Sequence, residues 1–284
     1  MLGGRGGVPV TVRPAEEDFL NQFETKGETM RKLMQRVESG GSFREREEKI
    51  GGPLKRALNA LAPAIFPLEP NGRFRWMMAA DYFWCAEAHG LEILPELKAL
   101  GPATIAHLVW RFSRFYGDRD LLRTMTGPML SDILERARRC HGGDRIRDKQ
   151  SRRRRGGPGA AAGMEGVVSF SCHDVTIMSL LYALRSDLVK QEDYWSPYGS
   201  TIVFELFKPK PSKEGLGSNG AEGTAPEGWA GNVMGSGGSA GGVQMVRVIV
   251  DGVELRSPLC RGGSDLGGMM SLEDMRSGFR ELLE

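Results

Sequence analysis

Along the first half of the chain, large apolar residues recur at helical spacing. Phe19, Leu20, Phe23, Met30, Leu33, Met34 and Val37 are separated by polar positions, the pattern of an amphipathic helix, and Gly40-Gly41 closes the tract. Upstream, Val8, Val10 and Val12 alternate with Pro9, Thr11 and Arg13. That alternation predicts a short strand, which Pro9 confines to an edge or bulge. From residue 43 to 140 the helical period persists, with breaks expected at Gly51-Gly52-Pro53, between Pro63 and Gly72, and at Gly101-Pro102. Thr126-Gly127-Pro128 predicts a new helix, Pro128 fitting its first turn, where the missing N–H costs nothing.

The period then shortens. Val167, Val168 and Phe170 form an apolar run that predicts a strand, followed by a helix carrying Ile177, Leu180, Leu181 and Leu184. Residues 201 to 207 are almost continuously apolar, the pattern of a strand covered on both faces. Val246, Val248 and Val250 alternate, Asp251-Gly252 is a hairpin turn, and Val253-Glu254-Leu255 returns. Ser271 with Asp274 predicts the cap of a last helix whose Leu272, Met275, Phe279 and Leu282 share a face. Two stretches lack any period: 141 to 165, with the basic run Arg152 to Arg155 between Gly pairs, and the Gly/Ser-rich 209 to 242. Both are expected to be flexible loops, the second joining two strands.

His173-Asp174 sits where the predicted strand at Val167 gives way to the helix. An ionisable pair at such a junction is expected at the carboxyl edge of a sheet, where open α/β folds bind ligands. It also meets a helix N-terminus, which favours a phosphate or other anion. The plain alternative is a helix cap, since Asp is a good one.

The surrounding words extend the signal. Phe170-Ser171-Cys172-His173-Asp174-Val175-Thr176 is followed by Met178-Ser179-Leu180-Leu181-Tyr182-Ala183-Leu184. Tyr194-Trp195-Ser196-Pro197-Tyr198-Gly199-Ser200 leads into the strand at Thr201, and Val246 to Gly252 with Pro258-Leu259-Cys260 precedes the closing helix. These three stretches, in this order over residues 166 to 284, resemble the C-terminal part of the histidine acid phosphatases, the branch of the histidine phosphatase superfamily that includes lysophosphatidic acid phosphatases and phytases. The resemblance implies an α/β fold, a mixed sheet with flanking helices and a large inserted α-helical cap. Residues 8–140 would hold an edge strand and the cap, with Ala88-His89-Gly90-Leu91 and Gly127-Pro128-Met129-Leu130 as its landmarks. Residues 141–165 would be a basic, Gly-rich loop and 166–284 the C-terminal α/β part.

It also implies a chemistry. Family members cleave phosphate monoesters through a phosphohistidine formed on an Arg-His-Gly-x-Arg-x-Pro loop. Asp174 matches the proton donor to the leaving alkoxide, and His173 matches the imidazole that contacts the phosphoryl oxygens. No metal or organic cofactor is implied. The nucleophile loop has no counterpart here: the histidines are His89, His107, His141 and His173, none preceded by Arg and followed by Gly-x-Arg. His89-Gly90 and His141-Gly142 are the nearest echoes, and ordinary surface or core histidines explain both. A later Arg-Thr-x-x-Ser-Ala segment is absent too. The chain therefore looks like such a phosphatase without its first third, with the N-terminal part of the sheet missing. The alternative is a catalytically inactive relative that binds phosphate esters or proteins.

Composition changes little in this picture. The 284 residues suffice for a core without disulfide or metal, and a net charge of +2 gives no case for a nucleic-acid or membrane partner. The arginines at 145 to 155 are the one tract that a polyanion would favour, but no aromatic residue interleaves them. Four scattered cysteines show no Cys-x-x-Cys spacing. The chain has neither an apolar leader at Met1 nor a run of about 20 apolar residues to span a membrane, so compartment and oligomeric state stay open.

Overall fold

The computed structural model describes residues 10, 12–20, 26–70, 72–139, 167–191, 194–207, 244–255, 259 and 269–284. The loops expected at 141–165 and 209–242 lie outside these residues. So does most of the strand expected at 8–12, although Val10 and Val12 are described, are exposed, and belong to no strand.

The first helical tract starts later than its apolar spacing predicts. Helix α1 is Gly27–Glu38, while Phe19 and Leu20 occupy a turn. Pro14 precedes a single 3-10 turn at Ala15–Glu17, and the Asp18 carboxylate then accepts the Leu20 N–H at 2.9 Å. That local side-chain bond takes a donor a helix would need, so the chain turns instead.

The break expected at Gly51-Gly52-Pro53 is absorbed. Helix α2 (Gly41–Arg46) passes through a π-helical turn, Glu47–Gly51, into α3 (Gly52–Leu61). Pro53 has no N–H for the regular ladder, and the Gly52 N–H reaches back to the Glu47 carbonyl, one residue further than in an α-helix. After a true break come α4 (Trp76–Ala88), α5 (Pro95–Lys98) and α6 (Gly101–Gly117), the last with Pro102 in its first turn.

Helix α7 (Arg119–Arg139) corrects the expectation of a helix start at Thr126: Pro128 lies inside it. Leu121, Leu122 and Met125 before the proline and Met129, Leu130 and Leu134 after it are all buried. Burial on both sides outweighs the roughly 3 kcal/mol that an interior proline costs.

Helix α8 is Asp174–Ala183. The strand expected before it is not there. Val167 and Val168 are 73% and 53% exposed, residues 167 to 173 form no regular element, and no described strand pairs with them. Without a neighbouring strand their backbone groups have no ladder to join, and β-branched composition alone does not make a strand. His173-Asp174 accordingly opens a helix without ending a strand.

The chain forms two compact units. The first takes the described residues of Met1–Asp132, Pro158–Ser200 and Glu281–Glu284, and the second those of Ile133–Gly157 and Thr201–Arg280. In the first, α4 packs on α6 and α8 also packs on α6. Tyr116, Leu108, Leu180 and Leu181 are among its fully buried side chains.

The second unit carries a four-stranded sheet: β1 (Ile202–Phe207), β2 (Met245–Val250), β3 (Val253–Glu254) and β4 (Met270–Ser271). The pairings are all antiparallel, β2 taking β1 along one side and β3 and β4 on the other, so the described strands are not the mixed sheet expected. The hairpin turn falls at Asp251-Gly252 as predicted, both with positive φ. Val246, Val248 and Val250 are buried as their alternation predicts. β1 is a strand as expected, but it is not covered on both faces: Val203 is 44% exposed and Phe207 36%. Its apolar run reads as an edge strand, with Glu205 paired to Arg247 across the ladder at 2.5 Å. Ser271 caps α9 (Leu272–Gly278), its hydroxyl accepting the Asp274 N–H at 2.9 Å. A short α10 (Arg280–Leu283) follows in the sequence, its residues from Glu281 on belonging to the first unit.

Candidate functional site

The site is built on the first turn of α8. His173 is its N-cap residue, in extended conformation, and its carbonyl accepts the N–H groups of Thr176 at 3.0 Å and Ile177 at 3.2 Å. Its imidazole makes no capping bond and is exposed. Asp174 is the first helical residue. One oxygen, Oδ1, accepts the Val175 N–H at 2.7 Å, so part of the plain reading holds: the carboxylate satisfies a helix-start donor.

The other oxygen is held from elsewhere. Oδ2 accepts the indole N–H of Trp195 at 2.8 Å. Trp195 in turn lies between Trp84 of α4, stacked with centroids 5.7 Å apart, and Phe112 of α6, edge-on at 5.0 Å. Its segment is tied to α4 again by Tyr198, whose hydroxyl donates to Asp81 Oδ1 at 3.0 Å and lies 3.7 Å from the Cys85 sulfur. Those contacts with Cys85 and Asp81 push the Tyr198 phenol well above its ordinary value.

Beneath the carboxylate, Tyr116 is fully buried and donates to the Val175 carbonyl at 2.9 Å. Burial, then the Asp174 charge, then Tyr182 push its titration far upward, so it remains a donor at any physiological pH. Cys172 on the other side of His173 is raised by burial and by the same carboxylate, which keeps it a thiol. Thr176 donates to the Leu20 carbonyl at 2.8 Å, anchoring the turn at Phe19-Leu20 to the same helix. The arrangement offers one oriented carboxylate at a helix start, with an exposed imidazole next to it.

The other described histidines serve the fold. His89 ends α4: the Leu91 N–H bonds to the Ala86 carbonyl at 2.8 Å and the Gly90 N–H to Glu87 at 3.1 Å, Gly90 taking the positive φ of 61° that closes such an end. His107 is buried on α6, its ring 4.4 Å from that of Trp76 and its Nε2 3.1 Å from Glu47 Oε1. Glu47 also takes Arg111, which reaches Glu38 at 2.5 Å. His141 lies outside the described residues. Sequence reading placed His173 and Asp174 correctly at a helix start; it assigned no role to Trp195, although it singled out the segment that contains it, and it missed Trp84, Phe112 and Tyr116. No local signal marks those partners, because each contact joins segments far apart in the sequence.

Among the described residues no group of three His, Cys, Asp or Glu side chains could hold a metal ion, and no helix is long and apolar enough to cross a membrane. Cys85 and Cys172 are free thiols. No protein-family model matches the chain, and no curated protein matches it either.

Proposed function

We propose that the chain carries the leaving-group half of a phosphomonoester hydrolase of the histidine acid phosphatase type. The observation that supports this reading best is the Asp174 carboxylate, held at the start of α8 by a Trp195 bond of 2.8 Å and followed by first-turn amides. In the proposed reaction the phosphoryl group passes from the ester oxygen to a histidine, and Asp174 gives its proton to the departing alkoxide. Water then attacks the phosphohistidine, and Asp174 takes a proton from it, which restores the acid. A bound phosphate dianion raises the proton affinity of a neighbouring carboxyl group, the direction an acid catalyst needs. His173, exposed beside it, would donate to the phosphoryl oxygens. The α-helical cap of this reading corresponds to α1 through α7, and the substrate is a phosphate monoester.

The nucleophile is not supplied by this sequence, since none of His89, His107, His141 and His173 stands in Arg-His-Gly-x-Arg-x-Pro. That same observation favours a second reading, an inactive relative that binds phosphate esters or a protein. The deciding experiment joins a segment carrying the loop to residue 1 and assays a small aryl phosphate at acid pH. Turnover by the joined protein, absent from the 284-residue chain, is expected. A folded joined protein without turnover, whose ester binding is saturable, would establish the second reading instead.

A further inference from the structure

Resting on the phosphatase reading of Asp174, we propose that Trp195 is the positioning residue of that carboxyl group. The indole N–H fixes Oδ2 at 2.8 Å while the Val175 amide fixes Oδ1 at 2.7 Å. Both are donors only, and neither can accept a proton. A proton carried by Asp174 therefore has no protein acceptor in these two bonds, and passes to what lies on the remaining lone pairs.

The indole is well suited to the task because its own plane is set twice. Trp84 stacks on it at 22° between planes, and Phe112 meets it at 73°. Ser196, the next residue, is buried, and Tyr198 bonds to Asp81. The backbone amide alone would leave the carboxyl rotation to the helix start, whereas the two donors together over-determine it.

Nuclear magnetic resonance on the full chain tests this without turnover. In the wild-type protein the three-bond couplings of the Asp174 side chain should report one rotamer. Trp195→Phe retains a ring between Trp84 and Phe112 but has no N–H, and the single-rotamer couplings of Asp174 should be lost while the α8 amide signals keep their positions. Asp174→Ala approaches the bond from the other side, and should move the Trp195 indole proton upfield. A single Asp174 rotamer persisting in folded Trp195→Phe overturns the proposal. Should Trp195→Phe not fold, the second variant decides, since an indole signal unmoved by Asp174→Ala shows that the bond is not made. The phosphatase reading fails on ester hydrolysis and this one on a side-chain rotamer, so the two failures are told apart.

Discussion

Glu47 shows how much one side chain can carry. Burial pushes its carboxyl group upward, but the His107 hydrogen bond and the Arg111 charge outweigh burial, and it titrates below its ordinary value of 4.5. A folded value below the unfolded one contributes stability that is present above the unfolded value and lost as pH falls through the folded one. Acid unfolding should therefore steepen below 4.5 in the wild type and lose that component in Glu47→Gln. At neutral pH the variant should be less stable by roughly 1–3 kcal/mol, because the Gln amide oxygen still accepts but lacks the charge that strengthens the bonds from His107 and Arg111; urea titrations at pH 7 and in acid measure both. Arg185 offers the opposite case. It closes α8 with a positive φ of 52°, the Ser186 N–H bonding to the Leu181 carbonyl at 3.0 Å. A left-handed L-residue costs roughly 1–2 kcal/mol, and glycine returns about 0.5–1 kcal/mol of that to the unfolded chain as entropy. Arg185→Gly should thus raise stability by about 0.5–1 kcal/mol, read as an upward shift of the thermal midpoint.

At the scale of elements, periodicity was read well where one face of a segment is covered and poorly where a neighbour decides. The alternation at Val246, Val248 and Val250 and the Ser271 cap needed only local information, and both stand. Val167 and Val168 have strand composition but no partner strand among the described residues, so nothing in their own residues could have told a strand from an exposed coil. Pro128 misled for a related reason, because the burial that carries α7 past it comes from other segments. Gly127 beside it belongs to the same lesson. Alanine is about 1 kcal/mol better than glycine within a helix, yet a Cβ at Gly127 would stand 2.5 Å from the Leu282 carbonyl oxygen. Backbone cannot yield as a side-chain tip can, so Gly127→Ala should lower stability by roughly 1–3 kcal/mol in denaturant unfolding, against the propensity scale. The Asp174 site divides in the same way: the helix start was legible from Asp174 and its apolar followers, whereas the Trp195 bond needed the packing of Trp84 and Phe112.

For the whole molecule, the reading stands on what the chain can do alone and what it does when completed. On the proposed reading the 284-residue chain should give no turnover of an aryl phosphate above background, because the Asp174 acid would have no phosphoryl acceptor in Arg-His-Gly-x-Arg-x-Pro context. Joined to that loop, the two candidate residues should separate by leaving group. An aryl oxide departs without much help, whereas an alkoxide needs a proton as the P–O bond breaks. Asp174→Ala should therefore slow alkyl phosphates by roughly 10²–10⁴-fold, the usual range for a lost general acid, and aryl phosphates far less. On the proposed reading His173→Ala would remove a donor to the phosphoryl oxygens, which every ester presents alike, and should slow both classes by roughly 10²–10³-fold. Single-turnover rates of phosphoenzyme formation on a matched pair of alkyl and aryl esters make the measurement. Equal slowing of both by Asp174→Ala, in a protein whose α8 and Trp195 contacts persist, would leave the carboxylate as a helix-start acceptor and no more, because a proton donor must distinguish an ester that needs its proton from one that does not.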